Sequence, residues 1–209
     1  MNETFALFPV AIGAFAIGSI PFGLIVGRRL FGGADIRTSG SGNIGAANAL
    51  RSFGVRGGAL VLALDACKGL LPALLEYAIG GAVAAATATL CAVLGHCFSP
   101  WLRFRGGKGV ATWLGGLVAL SWPSAVAFVV VWLAIVVPTR LASLGSLAAS
   151  AVAATIVCAT YRDQPAVVVC TALAFATIVV RHRENIGRLR TRSERKLEFG
   201  NARRSEQAR

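Results

Sequence analysis

The chain has 209 residues, 56% of them hydrophobic and only 14% charged, with a mean hydropathy of +0.68 and a formal net charge of +12. A chain so apolar is excluded from the ordinary soluble class. Its basic excess points to an anionic surface rather than to nucleic acid, whose binding modules are not this greasy.

In chain order, the first apolar run is Phe5 to Val26. Asn2 and Glu3 precede it and Arg28 and Arg29 follow it, the reverse of the charge order of a signal peptide. It therefore predicts a first membrane span with the N-terminus outside. Runs at 57–79 and 82–101 also approach the roughly 20 residues that cross about 30 Å of hydrocarbon. Shorter apolar runs follow at 109–121, 124–138, 145–160 and 166–181, and need snorkelling ends or burial among neighbours. Trp122 and Pro123 mark one turn between spans, and Arg162, Asp163 and Pro165 another. The expected architecture is all-α: a polytopic integral membrane protein of seven transmembrane helices, N-terminus outside and C-terminus cytoplasmic. Residues 1–190 form the single embedded domain, and 191–209 a flexible basic tail.

The basic residues test this orientation. Of 21 Lys and Arg, all but Lys68 and Arg162 fall in segments that it places in the cytoplasm: 27–56, 102–108, 139–144 and the region from Arg181 onward. The cysteines (Cys67, Cys91, Cys97, Cys158 and Cys170) stand singly in apolar runs, without metal or redox spacing, and read as small buried hydrophobes. No metal or cofactor is expected.

Chemistry concentrates in a few polar stretches. Residues 39–48 read SGSGNIGAAN, with Gly40, Gly42 and Gly45 in GxGxxG spacing. The dinucleotide reading fails, because that fingerprint needs a preceding strand and here a membrane helix precedes it. The physics of an anion cradle survives: glycines let backbone N–H groups approach an anion, a helix starting near Gly45 aims its positive end there, and Ser41, Asn43, Asn48 and Arg51 add polar side chains. Residues 95–112 read GHCFSPWLRFRGGKGVAT. This is not a Walker A loop, since Leu102 stands four residues before Gly106 and Gly109 follows Lys108. Gly106, Gly107, Lys108 and Gly109 at a helix start nonetheless suit a phosphate monoester or acyl phosphate. Asp65 and Lys68 share one face of the second span, where each alone would cost ~2.5–3.5 kcal/mol in lipid; they pair, or face a polar interior. Thr139 to Ser146 and Arg181 to Arg188 are smaller polar stretches, and His182 and Asn185 lie on one helical face.

GSIPFG at 18–23, SGSGNIGAAN at 39–48, DACKG at 65–69, the stretch at 95–112, TRLASL at 139–144 and HRENI at 182–186 occur in this order. Together they resemble the bacterial acyl-phosphate:glycerol-3-phosphate acyltransferase family through about residue 190. Ala47, Arg105 and Leu141 depart from its usual Thr, Lys and aromatic residue. The resemblance implies transfer of a fatty acyl chain from acyl phosphate to the sn-1 hydroxyl of glycerol 3-phosphate in the first acylation step of phospholipid biosynthesis, by a monomer in the bacterial inner membrane. It implies Ser41, Arg51, Lys108 and Ser143 for the glycerol phosphate, Gly106, Gly107, Gly109 and Thr112 for the acyl phosphate, and Asn43, His182 and Asn185 at the reacting carbonyl. Asn48, Asp65, Lys68 and Arg140 would support them. The proton acceptor is His182 or the substrate's own phosphate, with substrate assistance favoured. The His-x4-Asp signature of acyl-CoA-dependent enzymes is absent after both His96 and His182. The competing reading is a transporter of a phosphorylated metabolite, motivated by Asp65 and Lys68 within the membrane.

Overall fold

The computed structural model describes residues 3–197, with side chains from residue 8 onward, and among these residues there are helices and two short 3-10 turns but no strand. Helices α1 (Glu3–Gly18) and α2 (Phe22–Leu30) share the first apolar run. The run was expected to be continuous but breaks at Ser19 to Pro21, because Pro21 has no N–H for the helical ladder. The carbonyls released there are used: Ser99 Oγ donates to Ser19 O at 2.6 Å, and Lys68 Nζ to Ile20 O at 2.9 Å.

Helix α3 (Ala46–Cys97) is interrupted at Gly54 (φ 72°) and Gly81 (φ 68°). On a straight helix Asp65 and His96 would stand on the order of 45 Å apart, yet His96 Nδ1 lies 3.6 Å from Asp65 Oδ1. The chain therefore doubles back at Gly81, whose backbone conformation only glycine adopts without strain. This hairpin supplies the two arms expected as the runs at 57–79 and 82–101.

Helix α4 (Val110–Leu120) lies against both arms. The approach is close: a Cβ on Gly115 would stand 1.9 Å from the backbone Ala66 O on the first arm, and one on Gly116 2.3 Å from the Thr89 side chain on the second. Small residues of this kind let membrane helices approach where no hydrophobic effect drives them together. Helices α5 (Trp122–Thr139), α6 (Ala142–Thr160) and α7 (Pro165–Arg181) close the bundle, and α8 (Arg183–Arg190) leaves α7 at a bend of 57°. Trp113 and Leu117 of α4, Ala149, Ala153 and Val157 of α6 and Ile178 of α7 share the main core cluster.

Large apolar side chains such as Leu71, Ile79, Val130, Val137 and Leu173 stay exposed around the bundle, which is the surface a lipid-embedded protein presents. Four helical stretches are long and apolar enough to cross a membrane, Phe8–Leu30, Ala46–Leu102, Trp122–Thr139 and Ala142–Thr160; the bent α7–α8 pair makes up to five, and Val110–Leu120 is a shorter apolar helix.

Candidate functional site

One end of the bundle holds a cavity of about 370 Å³ between α3, α4, α5, α6 and the α7–α8 bend. Its polar part is lined by Ser41, Asn43, Asn48, Arg51, Asp65, His96, Lys108, Ser143, His182, Asn185, Arg188 and Glu194, and its apolar part includes Leu62, Leu114, Phe128, Val129, Trp132 and Leu133.

The loop before α3 is organised by Asn48 in the first turn of that helix. Its amide accepts from Ser41 N at 2.8 Å and donates to Ile36 O, Ser39 O and Asn43 O at 3.0, 3.1 and 2.9 Å, which satisfies a fully buried side chain. Asn43 Oδ1 accepts from Gly45 N at 2.9 Å and shapes the helix entry. Asn48 thus holds the loop together, and Ser41, Asn43 and Arg51 reach the cavity wall beside it.

The glycine turn before α4 differs from expectation. Gly106 N and Gly107 N donate to Cys97 O and His96 O at 3.1 and 3.0 Å, so they are not bare donors, and neither residue lines the cavity. Thr112 is fully buried in the α3–α4 contact, where its carbonyl would meet a Cβ on Gly69 at 1.8 Å, and it does not line the cavity either. The wall is formed instead by Lys108, Gly109, Val110 and Ala111. These precede the first bond of the α4 ladder, from Trp113 N to Gly109 O at 2.8 Å, so the positive helix end does face the cavity. The physical reason is geometric: a tight turn must satisfy its own N–H groups, and here the end of α3 supplies the acceptors.

Lys108 Nζ donates to Asn185 Oδ1 at 2.5 Å. Burial pushes the Lys108 ammonium down to about 8, against the raising influence of Glu194. His182 is buried, and its Nδ1 lies 2.8 Å from Ile178 O. A carbonyl can only accept, so the ring donates from Nδ1 and keeps the Nε2 lone pair for another partner. Burial and then the Lys108 charge press His182 down to about 4, which leaves it neutral near pH 7.

Three residues were not singled out in the sequence. Arg181 donates through Nε to Gly107 O at 3.0 Å and through Nη2 to Gly106 O at 2.6 Å, fixing both peptide planes of the glycine turn. His96 packs under the same turn, with Nε2 2.0 Å from where a Gly107 Cβ would be. Glu194 accepts from Ser143, Asn185 and Arg188. Arg181 and His96 sit inside stretches already read as basic or polar, but Glu194 carries no local signal at all.

Lys68 does not line the cavity. It lies 2.9 Å from Asp65 Oδ1 and donates to Ile20 O, so it ties α3 to the α1–α2 break, whereas Asp65 also reaches the cavity wall. Arg140 takes part through its backbone, accepting from Leu197 N at 2.8 Å. Leu197 is buried, so the first residues of the segment expected as a flexible tail pack against the site, and 198–209 lie outside the described residues.

A lysine, a neutral histidine, buried amides and an apolar recess share one cavity of a helical bundle whose outer surface is apolar, the arrangement of an integral membrane protein with a built binding site. The glycerol-3-phosphate acyltransferase family model matches residues 8–192. Glycerol-3-phosphate acyltransferase of Roseobacter denitrificans is 44% identical over 88% of this chain and 90% of its own length. Glycerol-3-phosphate acyltransferase 2 of Moorella thermoacetica is 46% identical over 88% of this chain and 94% of its own. Crystal structures of PlsY, an integral membrane glycerol 3-phosphate acyltransferase, match at 36% identity: the glycerol 3-phosphate form has a TM-score of 0.86 over 92% of this chain and 96% of that one. The lysophosphatidic acid form has a TM-score of 0.84 over 93% and 96%. The chain belongs to the glycerol-3-phosphate acyltransferase family and is an acyltransferase.

Proposed function

We propose that the protein transfers a fatty acyl group from acyl phosphate to the sn-1 hydroxyl of glycerol 3-phosphate, giving 1-acylglycerol 3-phosphate and inorganic phosphate. The carrying observation is a single cavity in which Arg51, Lys108 and Ser143 stand beside an apolar recess of Leu62, Leu114, Phe128, Trp132 and Leu133. Two phosphorylated substrates, one with an acyl tail, need that combination of cations and apolar wall.

In this reading Ser41, Arg51, Lys108 and Ser143 hold the glycerol phosphate. The start of α4, from Lys108 to Ala111, receives the acyl phosphate, and Gly106, Gly107 and Thr112 shape that start from behind. The hydroxyl oxygen attacks the acyl carbon, the bond from that carbon to the phosphate oxygen breaks, and phosphate leaves with the electron pair. Asn43 and Asn185 bound the reacting carbonyl, and Asp65, Lys68, Asn48 and Arg140 act from behind. The hydroxyl proton goes to a phosphate oxygen. A phosphate monoester with a second pKa of about 6 is a better acceptor than His182 at about 4, so His182 Nε2 orients the hydroxyl instead. A mixed anhydride with phosphate as leaving group asks for positioning and charge stabilisation, with no covalent enzyme intermediate.

In this reading the chain crosses a bacterial inner membrane seven times as a monomer, N-terminus outside and site on the cytoplasmic face, and the hairpin at Gly81 supports counting the two arms of α3 as separate crossings. Transport has no observation in its favour, since the Asp65–Lys68 pair that suggested it is engaged internally. The test is product formation by purified protein given labelled glycerol 3-phosphate with palmitoyl phosphate or palmitoyl-CoA. Lysophosphatidic acid from palmitoyl phosphate alone is expected. Product from palmitoyl-CoA alone would overturn the donor, and product from neither, with folded protein, would overturn the reaction.

A further inference from the structure

A second recess lies on the outside of the bundle, at the break between α1 and α2. It is an open groove of about 570 Å³ lined by Ala16, Ile17, Ile20, Pro21, Ile25 and Trp101, and it shares no lining residue with the catalytic cavity. Trp101 is 73% exposed, yet its ring is held in place. The indole Nε1 donates to Ser19 Oγ at 3.1 Å, and that hydroxyl donates in turn to Ala16 O at 2.7 Å. One wall of the groove is therefore an aromatic face fixed to the floor by a hydrogen bond.

The chain after Trp101 is held outward in the same way. Arg103 (φ 51°) and Phe104 (φ 61°) both take the left-handed conformation, which bulky residues rarely adopt. Arg103 N bonds to Pro100 O at 3.1 Å and Phe104 N to Ser99 O at 2.9 Å, which fixes the turn. Leu102 is buried by it, whereas Arg103, Phe104 and Arg105 stand on the surface. No ion pair among the described residues engages either arginine, and the sequence has no Asp or Glu between Tyr77 and Arg162. Two exposed cations thus sit beside an apolar groove without a carboxylate to answer them.

The level in the membrane says what answers them. From Gly81 to Cys97 the second arm of α3 rises about 24 Å, most of the roughly 30 Å of a hydrocarbon core. With Gly81 at the outer boundary, as in the proposed topology, the turn at 100–105 falls at the cytoplasmic headgroups. Tryptophan favours that level because its ring is apolar and its N–H polar, and arginine there meets phosphate. We infer that this is a binding site for a resident anionic phospholipid of the cytoplasmic leaflet. One acyl chain lies in the groove against Trp101, and the charged head meets Arg103 and Arg105. The occupant fastens the chain just before the glycine turn that leads to Lys108.

The full-length protein, delipidated in detergent, is titrated with phosphatidylglycerol and, separately, with phosphatidylethanolamine of the same acyl chains, and the Kd of the first bound lipid is read by native mass spectrometry. Wild type is expected to bind phosphatidylglycerol about tenfold or more tightly than phosphatidylethanolamine, since each arginine at headgroup level contributes about fivefold towards an anionic lipid. Arg103→Gln combined with Arg105→Gln should erase that preference; both side chains are exposed, so this pair carries the test even if Trp101→Ala does not fold. Trp101→Ala should weaken both lipids together. Val130→Ala on the outer face of α5 and Arg162→Gln beyond the far end of α6 should shift neither. Equal affinity of wild type for the two lipids would overturn the inference, as would a preference that survives the arginine substitutions. A folded Trp101→Ala with unchanged affinities, or a Val130→Ala effect as large as that of Trp101→Ala, would also overturn it, because the bound lipid would then be a nonspecific coat. The readout needs neither turnover nor orientation, so its outcome is separate from that of the acyl transfer and of the topology.

Discussion

Lys108 is where residue chemistry bears most directly on rate. Its ammonium, lowered to about 8 by burial, is charged below that pH and neutral above it. Since kcat/KM reports ionisations of the free enzyme, kcat/KM for glycerol 3-phosphate should fall as pH rises through about 8. The limb should disappear in Lys108→Arg, whose guanidinium stays charged. A profile flat to about pH 9.5 would place Lys108 away from the phosphate. Lys108→Ala is expected to abolish turnover in protein that still inserts into the membrane, checked by product assay and size-exclusion chromatography; near-normal activity would remove this segment from the site. Arg181 makes a different prediction, because it touches the Gly106 and Gly107 carbonyls and lies behind the cavity wall. Bonds from a charged donor are worth about 1.5–3 kcal/mol each, so Arg181→Ala should raise KM for palmitoyl phosphate about tenfold or more and KM for glycerol 3-phosphate far less. Arg181→Lys, which cannot bond both carbonyls in a fork, should recover only part of the loss. An equal rise in both KM values would mean that Arg181 supports the bundle in general.

Among the elements, α4 decides the geometry. It is short for a span, and its position comes from close approach to both arms of the α3 hairpin, to the backbone of the first and to the Thr89 side chain of the second. Gly115→Leu puts a large side chain where a Cβ already stands 1.9 Å from Ala66 O, and overpacking of this kind costs about 1–3 kcal/mol or more. Lower thermal stability and loss of activity are expected, measured by thermal unfolding in detergent. Gly13→Ala is the matched comparison: a Cβ there meets nothing within 4 Å and adds helix propensity, so the melting temperature should hold or rise. A stable, active Gly115→Leu would show that α4 can shift without harm to the site.

For the whole molecule, the seven-crossing reading places Thr38 and Arg162 on opposite sides of the membrane. Both are exposed. In a background with the five native cysteines replaced, Arg162→Cys should react with an impermeant maleimide in intact cells, and Thr38→Cys only after permeabilisation. The reverse pattern would invert the topology, and labelling of both from outside would change the parity of the crossings between them. The outer surface of the bundle is apolar, so on the proposed reading the soluble substrate would arrive from water and the acyl donor from lipid at a single mouth.

The sequence by itself determined that the chain is a helical membrane protein, because hydropathy acts through averages over many residues and needs no contact map. It also placed Ser41, Asn43, Arg51, Lys108, Ser143, His182 and Asn185 in polar stretches that do meet in one cavity. Only the tertiary structure decided which N–H groups of the glycine turn are already spent, since Gly106 and Gly107 bond to the end of α3 and the acceptors lie outside their own motif. The same holds for the break at Pro21, whose freed carbonyls find partners on α3 and beside it. Glu194 is the extreme case: an acidic residue in a basic polar tail has no pattern to read, and its meaning arises from a chain reversal that brings it to Ser143, Asn185 and Arg188. Composition reports what surrounds a chain, whereas hydrogen bonds between distant segments depend on where the chain turns back, and that is settled by packing.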